Sequence, residues 1–299
     1  MDFKTLAAVR FVAGLGAGLA LAIGNATIAN ARDAEQFSGH LTILLVAFMV
    51  VIMPVFSRVS ETYGYQGVFA ALAVTVLVGA VSMLFLPNEP SFASGADPAA
   101  GESGPSSALL SMTGIAVLAV AFLFGARDTL PWLVAEQLGL DAGMSLPEIG
   151  NLFSLMYAVS IVGPAILLYL SRRFEGQTLL AWTMGLTGLF AWLFTVSDGN
   201  RMLFSSGIVI WATIYFMAFA LLNAVAAMLD RSGRLVSAIG SSFIAGVTVA
   251  PFFGGYLVDQ GGYTSLGMAE LTLTAIVVAL ILIALRGRHL KPSEAQTAS

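Results

Sequence analysis

Three ionisable residues stand close together in an otherwise apolar stretch: Arg127, Asp128 and Glu136, with Pro131 and Trp132 between them. A charge placed inside a membrane-crossing helix is costly and usually serves a function. A guanidinium there can hold an anionic or polar group. A carboxyl withdrawn from water can load and release a proton. Pro131 removes a backbone donor and crowds the turn before it, so the spacing predicts a bend or break near Ala126–Arg127. Adjacent helical positions point about 100° apart, so one of Arg127 and Asp128 can face a solute path while the other reaches a neighbouring helix. An interfacial reading stands beside this one. The 19 residues Ala108–Ala126 are already uncharged, and a helix leaving the bilayer at Arg127 would put all three charges at its surface.

The elements that must position these residues follow from composition. Of 299 residues, 58% are hydrophobic and 10% charged, and mean hydropathy is +0.89. Soluble domains carry about 25% charged residues. The chain reads as an all-α polytopic membrane protein, its apolar runs too long for a barrel's alternating strands. The net charge of −4 includes no basic stretch suited to nucleic acid. Without cysteine, the chain can form neither disulfides nor thiolate metal sites. His40 and His289 lie far apart, and no HExxH, GxSxG or P-loop pattern occurs, so neither an enzyme, a metal site nor a bound cofactor is expected.

Nine spans are expected: Leu6–Asn30, Leu41–Phe56, Gln66–Leu86, Leu109–Leu138, Ile149–Ser171, Thr178–Val196, Leu203–Leu229, Leu235–Val258 and Tyr263–Leu285. They fall into a three-helix part (1–86), a Pro-, Gly- and Ser-rich linker (87–108), a six-helix part (109–290) and a polar tail (291–299). Ser145-x-x-Glu148 with Pro147 is a capping box, which makes Glu148 structural. With the C-terminus inside, the inner loops collect Arg32, Arg172, Arg173, Arg231, Arg234, Arg286, Arg288 and Lys291. The outer segments then hold Lys4, Arg58 and Arg201. Positive charge gathers on the cytoplasmic side, so the C-terminus and linker are cytoplasmic and the N-terminus lies outside a plasma or inner membrane.

An internal repeat is also visible. Ser38-Gly39-His40-Leu41 with a later Pro54 matches Ser232-Gly233-Arg234-Leu235 with Pro251. Glu61…Gly64-Tyr65 matches Asp259…Gly262-Tyr263, all at offsets of 194 to 198 residues. A parallel repeat of this kind is one architecture of secondary transporters.

At this point the chain resembles the major facilitator superfamily. Arg10-Phe-Val-Ala-Gly14-Leu-Gly16-Ala-Gly18 looks like that family's fourth helix, and Tyr63-Gly64-Tyr65-Gln-Gly-Val-Phe69 like its turn into the sixth. Leu170-Ser171-Arg172-Arg173-Phe174-Glu175-Gly176 is similar to a degenerate copy of its basic loop between the eighth and ninth helices. Asp230-Arg-Ser-Gly-Arg234 and Ala250-Pro251-Phe-Phe-Gly254-Gly255 resemble the turn into, and one face of, its eleventh. The chain looks like helices four to twelve, with the first three absent. Leu41–Phe56 lacks the Gly-x-x-x-Gly-Pro face associated with antiporters.

The resemblance implies secondary transport of a small polar or anionic solute by alternating access, coupled to protons or another ion. It implies that Leu6–Asn30, Leu109–Leu138 and Leu203–Leu229 line a central cavity. Arg127, Trp132, Tyr215, Asn223, Asn25 and Arg10 are then the solute-binding candidates, with Trp132 and Tyr215 stacking on a ring or sugar. Asp128 and Glu136 are the proton-coupling candidates. The competing reading is a non-transporting scaffold, receptor or assembly subunit, completed by missing N-terminal helices or a partner chain.

Overall fold

In the computed structural model, which describes residues 16, 34–83, 110–230 and 234–286, two glycines at the expected turns adopt nearly the same backbone. Gly64 has φ 63° and ψ −163°; Gly262 has φ 62° and ψ −159°. Only glycine takes this left-handed conformation without strain. The equivalence falls at an offset of 198 residues, where the sequence repeat pairs Gly64-Tyr65 with Gly262-Tyr263.

Among the described residues every element is helical. They are α1 (Ala34–Met83), α2 (Met112–Asp141), α3 (Leu146–Ser160), α4 (Val162–Ser171), α5 (Gly176–Thr195), α6 (Arg201–Leu229) and α7 (Arg234–Ala284). Six segments are long and apolar enough to cross a membrane, with α3 and α4 forming one of them. The count differs from nine for identifiable reasons. The expected loops at Gly64 and at Gly261–Gly262 are single non-helical joints inside α1 and α7, so each of those helices holds two expected spans. Of the first span, Leu6–Asn30, only Gly16 is described, and Arg10, Asn25, the linker and the polar tail lie outside the described residues.

Contacts divide the chain into two units. One contains residues 34–45 and 73–83 of α1; the other contains residues 46–72 together with α2–α7. Within the second unit, Ser154 of α3 donates to the Val50 carbonyl of α1 at 2.6 Å. A side chain at Gly150 would collide with Ser57, so glycine permits that crossing.

The break between α3 and α4 falls at Ile161, one turn before Pro164, whose ring would crowd the Ser160 carbonyl in a continuous helix. Gly163 lets α4 approach the Thr213 carbonyl of α6. The capping box forms as read. Glu148 Oε2 accepts from the Ser145 backbone N at 2.8 Å and from its hydroxyl at 3.0 Å, and Arg201 donates to Oε1 at 2.7 Å.

The most extensive packing is α2 against α7. Its key is reciprocal. A Cβ at Gly125 would strike the Phe243 carbonyl, and one at Gly246 would strike the Phe122 carbonyl. Ser242 adds a hydrogen bond to the Leu118 carbonyl at 2.8 Å. Small residues here let the two backbones meet, the usual basis of helix association in lipid. Around this crossing, Phe124, Met184, Leu222, Val225, Ile239 and Val277 are completely buried in one core.

Candidate functional site

α2 is capped by Ser111, whose hydroxyl accepts from Gly114 N at 3.0 Å, and it is helical from Met112 to Asp141. Pro131 therefore does not break it. The helix carries Arg127 and Asp128 into the interior, where they are 0% and 4% exposed. Both side chains are therefore enclosed by neighbouring helices.

Arg127 turns toward α5 and α7. Its Nη1 donates to the Met184 carbonyl at 2.8 Å and to Thr274 Oγ1 at 3.5 Å. Its Nη2 donates to Thr187 Oγ1 and to Asp128 Oδ2, and its Nε donates to Asp128 Oδ2 at 2.8 Å. A guanidinium has five N–H donors, and these five bonds use them all. The face of Phe124 lies 5.4 Å from the guanidinium carbon. The acceptors come from loci that the helix geometry dictates. Thr187 donates its own proton to the Met184 carbonyl at 2.9 Å, leaving its lone pairs to Arg127. Thr274 likewise donates to the Glu270 carbonyl at 2.6 Å. Glycine at 188 is what admits Thr274, because a Cβ there would overlap its side chain.

Asp128 bridges in the other direction. Its second oxygen, Oδ1, accepts from the Trp211 indole Nε1 of α6 at 2.9 Å. Neighbours on a helix do not face one another, yet Arg127 and Asp128 pair because the long arginine arm folds back across the ridge between them. Arg127 reaches α5 and α7, whereas Asp128 bonds to α6 and lines an open cavity.

That cavity has a volume of about 260 Å³ and is walled by α2, α3, α6 and α7. Trp132 and Trp211 stack at 6.4 Å between ring centres and 21° between planes. Tyr215 lies 5.4 Å from Trp211, and Tyr157, Phe216 and Phe243 complete the aromatic wall. Asp128 supplies its charged polar edge.

Trp132, Tyr215 and Asp128 thus meet at one place. Asn223 does not join them. It lies two turns further along α6, outside the cavity lining, and its amide donates to its own helix at the Phe219 carbonyl, 2.9 Å away. Glu136 is exposed, two turns past Asp128 on α2, and is not part of the lining. Arg127 has no donor left for a solute. No cluster of three or more His, Cys, Asp or Glu with metal-holding geometry occurs among the described residues.

Several members of the site are not singled out by the sequence reading. Trp211, Thr187 and Thr274 sit in apolar helices where nothing local distinguishes them. Glu270 is different. It is completely buried and is the single charge between Asp259 and Arg286, the same signal that marks Asp128.

Six helical segments of this length and apolarity, among the described residues, define a multi-pass membrane protein. The sequence profile of the Major Facilitator Superfamily matches residues 1–229, and the chain belongs to that family. No curated protein matches the chain.

Proposed function

We propose that this protein carries out secondary active transport of a small solute by alternating access, with protons as the coupling ion. We further read the membrane as a plasma or inner membrane, with the C-terminus cytoplasmic. The observation that supports this most is the joining of two parts by one bond. The aromatic cavity wall is tied to the buried ion pair through Trp211 Nε1 and Asp128 Oδ1. A solute that stacks on Trp132 and Trp211 acts on the carboxylate that would hold the proton. Coupling needs such a shared element, because a ligand shifts an equilibrium only through interactions that differ between states.

The cavity chemistry refines the solute class. With Arg127 saturated by five hydrogen bonds to four acceptor atoms, an anionic group has no free donor of that cation to meet there. The lining offers ring faces, and Asp128 offers a remaining lone pair on Oδ1, since a carboxylate has about four acceptor positions and three are used. The site suits a small solute with a flat apolar body and a hydrogen-bond donor. Its volume is below the roughly 300–1,000 Å³ of drug-sized pockets.

The test uses two probes that share a ring, phenethylamine and phenylacetate, on the purified protein in lipid vesicles. The amine should quench tryptophan fluorescence and exchange across the membrane, and Asp128→Asn should weaken both effects. Equal responses to the carboxylate, or none to the amine, would overturn the solute class. Vesicles that show no proton-dependent flux for any small solute would overturn transport itself.

A further inference from the structure

We propose that Glu270 is a second proton-loading carboxyl in this protein, sharing the single Arg127 cation with Asp128. Its role in coupling rests on the transport reading above; its protonation chemistry does not.

The argument begins with the bonds Glu270 lacks. It is completely buried in α7. Oε1 accepts one hydrogen bond, from Thr195 Oγ1 of α5 at 3.1 Å. Oε2 has no hydrogen-bond partner. Among the described residues the ion pairs are Arg127–Asp128 and Arg201–Glu148, so Glu270 has no cation of its own. An ionised carboxylate held by one hydroxyl in an apolar interior is strongly disfavoured, whereas a neutral carboxylic acid is tolerated.

The second step is the connection to Arg127. Thr274 lies one turn beyond Glu270 on α7. Its hydroxyl donates to the Glu270 carbonyl and accepts from Arg127 Nη1. From α2, Arg127 and Asp128 are the charged groups that act on Glu270. α5 contributes the Thr195 hydroxyl and contains no titratable side chain; α6 contains only Arg201, at its first residue, and Tyr215. One cation therefore serves two buried acids. When Asp128 is the anion, Arg127 pairs with it and Glu270 keeps its proton on Oε2. When Asp128 takes a proton from the cavity, the guanidinium loses its anion and turns to Glu270, which releases its proton to water. The pair of carboxyls holds one proton in either state, and one proton has entered where another has left. Ser197, two residues beyond Thr195, also has a buried hydroxyl without a partner.

The experiment is infrared difference spectroscopy on the whole protein in lipid vesicles as pH is varied, with no solute present. The parent should show a neutral-acid carbonyl band that falls as pH rises. Glu270→Gln should remove the Glu270 share of that pH-dependent band, leaving only what Asp128 contributes. Thr195→Val should shift the band, because it removes the one donor to that carboxyl. A band insensitive to Glu270→Gln, or one dependent on Glu270 that does not change with pH, would overturn the proposal. These outcomes need no flux, so a failed solute assay and a failed Glu270 assay remain separate results.

Discussion

Trp211 donates its indole N–H to Asp128 over 2.9 Å, although the two lie 83 residues apart on α6 and α2. The bond connects a ring in the cavity wall to a carboxylate that also holds Arg127. It makes the aromatic surface and the charge pair one unit.

Replacing Trp211 by Phe keeps an aromatic ring but removes the donor. Leaving one buried acceptor position of Asp128 unfilled should cost about 1–3 kcal/mol of stability. Thermal unfolding in detergent reads this, and unchanged melting would mean that the bond contributes little.

The ion pair makes a sharper prediction. Arg127→Ala strands Asp128 as a buried unpaired charge, a loss of about 3–5 kcal/mol. Combining Arg127→Ala with Asp128→Ala removes the stranded charge and should recover much of that loss. A double variant no more stable than the single one would mean that the pair is not the source of the defect.

The α2–α7 crossing predicts opposite outcomes for two glycines of one helix. Gly246→Ala drives a methyl group into the Phe122 carbonyl, which as backbone cannot move aside. It should destabilise by about 1–3 kcal/mol, as overpacked cores do. Gly240 has nothing within 4 Å of a Cβ. Gly240→Ala should be neutral or stabilising by up to about 1 kcal/mol, through helix propensity. Denaturation of both variants side by side is the check, and equal effects would contradict the crossing geometry.

Orientation can be read in this cysteine-free chain with two exposed positions. Met202 opens α6 and is 82% exposed; Phe174 follows α4 and is 52% exposed. From the excess of basic residues on one set of loops, Met202→Cys should react with an impermeant maleimide in intact cells and Phe174→Cys should not. The reverse pattern would invert the topology.

The sequence alone determined the class, because class depends on quantities summed along the chain. Long apolar runs, few charges, the Gly64 and Gly262 repeat and the capping box of Glu148 are all local or periodic, and all are present in the fold. It also marked Arg127 and Asp128, since a charge in an apolar helix is visible without knowing its neighbours. What it could not assign was direction and partnership. Arg127 points to α5 and α7 rather than to a solute because Met184, Thr187 and Thr274 happen to converge on it, and convergence across up to 147 residues is a property of packing. Asn223 and Glu136 sit in the right helices but outside the cavity lining. Thr274 reaches the site only because Gly188 has no side chain. Glu270 carries the same signal in the sequence as Asp128 but was not singled out there, and only the folded chain reveals that it has no cation among the described residues. A buried charge costs the same to spot wherever it lies; what it bonds to is decided by which helices meet.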